Sequence, residues 1–164
     1  MIKKINILIL TVFNIGNSKY APGTVASFAT SLIFIFIYSL QINIIILILG
    51  VSIIFIYSVY AIDKLKNHFD EIDSKKIVID EFVGQAIPIL TIYNFIPSIN
   101  TGKFILYILI SFFLFRLFDI LKPYPINIID QKIKNGFGVM LDDVIAGIYS
   151  SVILILIMSF ILNG

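Results

Sequence analysis

Between residues 24 and 62 the chain is hydrocarbon almost without a break, interrupted only by the short polar run at 41–43. A helix rises about 1.5 Å per residue and the hydrocarbon core of a bilayer is about 30 Å thick. The run is too long for one crossing and predicts two helices, 24–40 and 42–62, joined by a tight turn. The first of them only just spans. Further apolar segments at 78–96, 104–121 and 139–162 extend the pattern. The fold class this predicts is an all-α integral membrane protein with about four to five transmembrane helices, its 164 residues forming a single domain, 1–164. A hydrophobic share of 59%, a charged share of 13% and a mean hydropathy of +1.04 set it apart from soluble domains.

The segments between the spans are distinct in kind. Residues 1–15 carry Lys3 and Lys4 ahead of an apolar run too short to cross, which predicts an interfacial or re-entrant helix. The same stretch has the shape of a signal peptide, with Gly16 and Ser18 as a small-residue cleavage pattern, so a cleaved form stays open. Next, GNSKYAPGTVAS reads as a loop ending with Thr24 or Ser27 at a helix start. Its free backbone N–H groups and Lys19 suit an anion, and an ordinary helix cap is the plainer role. Residues 63–76 form a charged, water-facing loop holding the only histidine, His68, read as a solvated side chain with metal ligation or proton shuttling as the alternative. Pro88 interrupts the segment at 78–96 and predicts a kink that neighbouring helices tolerate.

Charge fixes an orientation. With the turn at 41–43, the loop at 97–103 and the C-terminus on one side, that side has Lys103 as its only cation, and the other holds eleven of the twelve Lys and Arg. By the positive-inside rule the basic side is the cytoplasm. All ten Asp and Glu fall there too.

Several of those acids sit within about a turn of a helix end, where an ionised carboxylate next to lipid costs a few kcal/mol unless paired or on a metal. They are Asp80 and Glu81, Asp119, and Asp142 with Asp143. Hard oxygen ligands, no cysteine and one distant histidine suit Mg2+. Ion pairing is the structural alternative, since Arg116 and Asp119, and Asp119 and Lys122, are three apart on one helix face. Arg116 as a planar fork and Lys122 as a point charge are the natural phosphate holders. Gly84 and Gly147 read as helix-packing residues, and Gly136 and Gly138 as a turn beside Asp142. Residues 126–134 look amphipathic, suited to the membrane surface.

Absences narrow the chemistry. Without cysteine there is no cysteinyl-phosphate route, no aspartyl-phosphate motif of the DxDx[TV] type occurs, and one arginine with one histidine cannot build a haloperoxidase-type phosphatase. For phosphate-ester hydrolysis, a metal–carboxylate site with an activated water is the remaining route.

Four motifs, APGT, IDEFVGQ, FRLFDILKPYP and GFGVMLDDVIAG, stand in an order that closely resembles the phosphatidylglycerophosphatase A family over roughly residues 16–150. The resemblance implies Mg2+-dependent hydrolysis of phosphatidylglycerophosphate to phosphatidylglycerol and phosphate, in phospholipid synthesis at the cytoplasmic face of a bacterial inner membrane. Its partners would be that lipid and the bilayer, with no nucleic acid, and oligomeric state is left open. Carried over by position, it implies Asp80, Glu81, Asp142 and Asp143 as metal ligands and Asp119 as ligand or general base. Arg116, Lys122 and Asp130 join the catalytic set, with Lys19 and Thr24 helping Lys122 position the phosphate. Asn135 stands where the family often has a second glycine, and Tyr124 where an aromatic such as Trp often follows the Lys-Pro pair. A CDP-alcohol phosphotransferase is the first competing expectation, though its DGxxAR-type spacing is lacking. A small transporter is the second, though its acids would line the middle of the membrane rather than one edge.

Overall fold

A computed structural model describes residues 2–65, 74–95 and 101–163. His68 lies outside them, as does most of the expected loop at 97–103. Among the described residues there are seven α-helices and no strand: α1 (Ile2–Leu10), α2 (Pro22–Ser39), α3 (Ile44–Leu65), α4 (Ile79–Phe95), α5 (Thr101–Leu121), α6 (Ile126–Lys132) and α7 (Gly136–Asn163), with a 3-10 turn at Ile15–Asn17. Four helices, α2, α3, α5 and α7, are long and apolar enough to cross a membrane. The chain is a multi-pass membrane protein by that architecture. At nine residues α1 is far too short to span, and it lies against α3 through a hydrogen bond from the Tyr57 hydroxyl to Asn6 Oδ1 at 2.7 Å.

The remaining apolar segment, α4, third of the five in the chain, has a different task. It is the shortest of the long helices at 17 residues and carries Asp80, Glu81, Gln85 and Pro88. It packs against α2, α3, α5 and α7, so the other long helices form a sleeve around it. Nine of its residues are buried, including Asp80 and Gln85. The reason is physical: lipid offers no partner for a carboxylate or an amide, so the most polar of the long helices has to take the protein interior. Gln85 Nε2 donates to Ser111 Oγ of α5 at 3.2 Å, and Thr91 donates to Ser151 Oγ of α7 at 3.1 Å. Such bonds between membrane helices contribute about 0.6 kcal/mol each on average.

Close approach does the rest. A side chain on Gly84 would meet the Phe115 ring at 2.6 Å and the Asp143 carbonyl at 2.7 Å, and one on Gly147 would meet the Gly84 carbonyl at 2.4 Å. That carbonyl has lost its helical donor because the residue four ahead is Pro88, which has no N–H. Thus α4 and α7 touch backbone to backbone at the point where the α4 ladder is open.

Two local expectations change. Gly136 and Gly138 do not make a turn but form the first turn of α7. Asn135 provides the cap, its Oδ1 accepting from Gly138 N at 2.9 Å, while Asp63 Oδ1 at the end of α3 accepts from Gly136 N at 2.7 Å. Both glycines are instead needed for packing, Gly136 against the Val59 carbonyl and Gly138 against the Ile133 carbonyl. Neither Thr24 nor Ser27 caps α2. That helix starts at Pro22, whose fixed φ suits the first helical position, after Ala21 at φ 42, and Ser27 Oγ bonds back to the Gly23 carbonyl at 2.9 Å.

The helix packing makes a stability prediction. Gly147→Val should lower the thermal midpoint in detergent by the equivalent of about 1–3 kcal/mol, as overpacking does. Gly50→Ala, with nothing within 4 Å of the added carbon, should leave the midpoint unchanged or raised, since alanine is the better helix former by about 1 kcal/mol. Equal midpoints for the two variants would refute the close-packing account.

Candidate active site at the carboxylate edge

The chain direction brings the acids together. Helices α4 and α7 begin, and α5 ends, on the same side of the bundle, so Asp80 and Glu81 in the first turn of α4 meet Asp119 near the end of α5 and Asp142 and Asp143 two turns into α7. One oxygen each of Asp80, Glu81 and Asp143 lie within 4.8 Å of one another. Glu81 lies near enough to act on Asp80, and Asp119, Glu81 and Asp142 near enough to act on Asp143. The backbone holds two of them in place: Asp80 Oδ1 accepts from Glu81 N and Asp142 Oδ1 from Asp143 N, both at 3.0 Å.

Two cations answer this charge in separate places. Arg116 pairs with Asp119 one turn on, and its Nη1 lies 3.9 Å from Glu81 Oε1. Lys122 Nζ lies 2.7 Å from Asp142 Oδ2 and 3.1 Å from Asp130 Oδ1, binding α7 and α6 to the end of α5. Burial works to lower the Lys122 pKa, but its hydrogen bonds to Asp142 and Asp130 and their charges outweigh it and hold the ammonium above the usual lysine range. The two acids thus favour its charged form. Asp130 receives further support from Lys134 at 4.0 Å.

Of the residues expected from the sequence, Asp80, Glu81, Asp143, Asp119, Asp142, Arg116, Lys122 and Asp130 form one connected group. Within it, Asp142 Oδ2 is turned to Lys122 while its carboxyl also lies near Asp80 and Asp143. Thr24 is half-buried in the first turn of α2, directly after Gly23. Lys19 is on the exposed loop before it, its ammonium 5.5 Å from the Tyr20 ring centre.

The sequence reading passed over two members. Gly23 lets the α2 backbone lie directly on the acids, because a Cβ there would stand 1.9 Å from Glu81 Oε1 and 3.2 Å from Arg116 Nη1. Gln85 sits one turn beyond Glu81, fully buried, with Oε1 unpartnered. The signal for Gln85 was present, since an amide four residues from an acid inside an apolar segment needs a reason. For Gly23 the APGT run was visible but not its neighbour across the bundle.

Chemically, three carboxylates this close repel one another unless a proton or a cation lies between them. Glu81 Oε2 is buried without a hydrogen-bond donor, an acceptor left open toward such a charge. An all-oxygen donor set of this kind fits Mg2+. Arg116 adds the complementary feature: its Nε and Nη1 are buried and lack an aligned acceptor despite the nearby acids. Open acceptors and open donors lie side by side, as an ion and an oxyanion together would need.

The whole chain has relatives among known proteins. A family model described as phosphatidylglycerophosphatase A matches residues 8–158. The chain is 37% identical to a Haemophilus influenzae protein named phosphatidylglycerophosphatase A, covering 98% of this chain and 96% of that one. It is 30% identical to the Escherichia coli protein of the same name, over 90% and 80%. A Bacteroides thetaiotaomicron protein named for phosphatidylinositol-3-phosphatase is 34% identical over 90% of both chains. No solved structure matches.

The cluster predicts a ligand effect on stability. Mg2+ added to the purified protein should raise its thermal midpoint, by linkage of binding to folding. Asp143→Asn should abolish that rise, and Gly23→Ala, which pushes aside the flexible ends of Glu81 and Arg116, should keep the metal-free midpoint close to wild type and reduce the rise. A wild-type midpoint indifferent to millimolar Mg2+ would count against a metal at this cluster.

Proposed function

The chain belongs to the phosphatidylglycerophosphatase A family, and from that premise we propose that it hydrolyses phosphatidylglycerophosphate to phosphatidylglycerol and phosphate. The reaction uses Mg2+ at the cytoplasmic face of a bacterial inner membrane. One observation carries the reading: a buried carboxylate cluster adjoins an arginine with unmatched donors and a doubly paired lysine, at one edge of a bundle built for lipid. The basic residues collect on the same side, which supports the cytoplasmic orientation.

Asp80, Glu81 and Asp143 would hold the metal ion, which when bound supplies positive charge for the phosphoryl oxygens and makes a nearby water more acidic. Arg116 offers its guanidinium to two phosphate oxygens, exchanging part of its pairing with Asp119 for them, and Lys122 adds its charge as the phosphoryl group transfers. Asp142 and Asp130 hold Lys122 in position. Asp119 takes the proton of the attacking water. The water oxygen bonds to phosphorus while the bond from phosphorus to the glycerol oxygen breaks, and that oxygen acquires a proton from the surrounding water. Thr24 and the first amides of α2 contact the phosphate from the remaining side, with Lys19 at the approach. Acyl chains stay in the bilayer throughout.

The test is phosphate release by purified protein in detergent, with phosphatidylglycerophosphate, phosphatidylinositol 3-phosphate and phosphatidic acid offered separately, with and without Mg2+. Release should be Mg2+-dependent and fastest from phosphatidylglycerophosphate, and Asp143→Asn should reduce it by about 100-fold or more. Faster turnover of the inositol lipid would move the headgroup assignment to the activity for which the Bacteroides relative is named. No release from any lipid phosphate would overturn the reading.

A further inference from the structure

An apolar groove opens on the lipid-facing side of the bundle between α3, α4 and α7, with a volume of about 410 Å³ and walls of Val51, Ser52, Phe55, Ile56, Val83 and Val144. Resting on the function proposed above, we propose that this groove binds one acyl chain of the lipid substrate and so brings its headgroup to the carboxylates.

Position is the first argument. Val83 lies three residues from Asp80 on the same face of α4, and Val144 is at the level of Asp143 on α7, so along α4 the inner wall runs up to the acid cluster. The groove meets the site at the depth of its acids, below the water-side end of the bundle. There the groove is roofed: Phe55 packs edge-on against Phe137 with ring centres 6.3 Å apart, and Gly136 lies against the Val59 carbonyl. A ligand therefore comes from the bilayer.

Chemistry and size are the second argument. The only polar side chain in the lining, Ser52, has its hydroxyl tied to the Ile48 carbonyl at 2.8 Å, which leaves a hydrocarbon surface. From Val51 to Ile56 the groove runs about 7–8 Å along α3. That length is short for a helix of about 10 Å diameter to pack into, and its branched and aromatic lining is unlike the small-residue faces at which membrane helices associate. A single flexible hydrocarbon chain fits both limits.

Two measurements test it. Phosphatidylglycerophosphate with a diazirine midway along one acyl chain is photolysed with the intact protein in phosphatidylcholine vesicles. Label should concentrate on residues 51–56 and on Val83 and Val144, and excess unlabelled phosphatidylglycerophosphate should displace it where added phosphatidylcholine does not. Label spread evenly around the bundle, or displaced equally by both lipids, would identify ordinary boundary lipid and overturn the proposal. So would label replaced by a crosslink to a second copy of the chain. The second measurement fills the groove with Ser52→Phe. For the dioleoyl substrate KM should rise about tenfold with kcat little changed, while both constants for the dihexanoyl substrate stay within about twofold of wild type. Equal effects on both substrates, or none on either, would contradict it. Failure of the wild type to hydrolyse even the dihexanoyl substrate would sink the phosphatase reading instead, and the labelling would still decide the groove.

Discussion

A carboxylate cannot face lipid without a partner, and nearly everything in this fold depends on that. Asp80 and Glu81 open a helix that also carries a buried glutamine and an internal proline, the least suitable composition for contact with hydrocarbon. The solution is to place α4 at the centre and let α2, α3, α5 and α7 shield it. Their outer faces then need no polarity at all, as the exposed Phe36, Ile53, Ile56, Phe113 and Phe160 illustrate. The arrangement also needs thin contacts, which Gly23, Gly84 and Gly147 supply where α2 and α7 come against α4 and its acids.

The end of α5 is the second organising point. There the single arginine and Lys122 divide the acidic cluster between them, and the division joins four elements. Arg116 couples α5 to α4, and Lys122 couples α7 to α6. The short helix α6 would have little reason to stay in place alone, at seven residues. It is retained by Ile126, which is fully buried with Phe115 and Ala146, and by Asp130 through Lys122. Charge and packing thus hold the same segment from its two sides.

Much of this was legible in the sequence because lipid simplifies the code. Segment length against bilayer thickness gave the helices to within a few residues, and charge against hydrocarbon singled out the acids. What stayed hidden depended on partners distant in the chain. Arg116 and Asp119 could be paired from their spacing, but Lys122 joins Asp142 and Asp130, 20 and 8 residues away, and not Asp119. The burial of α4 could not be read from its hydropathy, since a helix inside a sleeve and one facing lipid are both apolar. Gly136 and Gly138 read as a turn because glycine marks turns and close packing alike, and only the cap from Asn135 and the donor bond to Asp63 distinguish them.

The contact between Gly23 and Glu81 has a consequence for how such a sequence can change by descent. A methyl group at position 23 would occupy the place of the Glu81 carboxylate oxygen, 1.9 Å away. Drift at position 23 is therefore policed by a residue on another helix, and drift at 81 by a backbone with no side chain to adjust. The two sites are coupled: a side chain at 23 is gained only as the Glu81 carboxylate swings away from its place against the α2 backbone. Constraint of that kind binds a site of no chemistry of its own as tightly as the acid it faces.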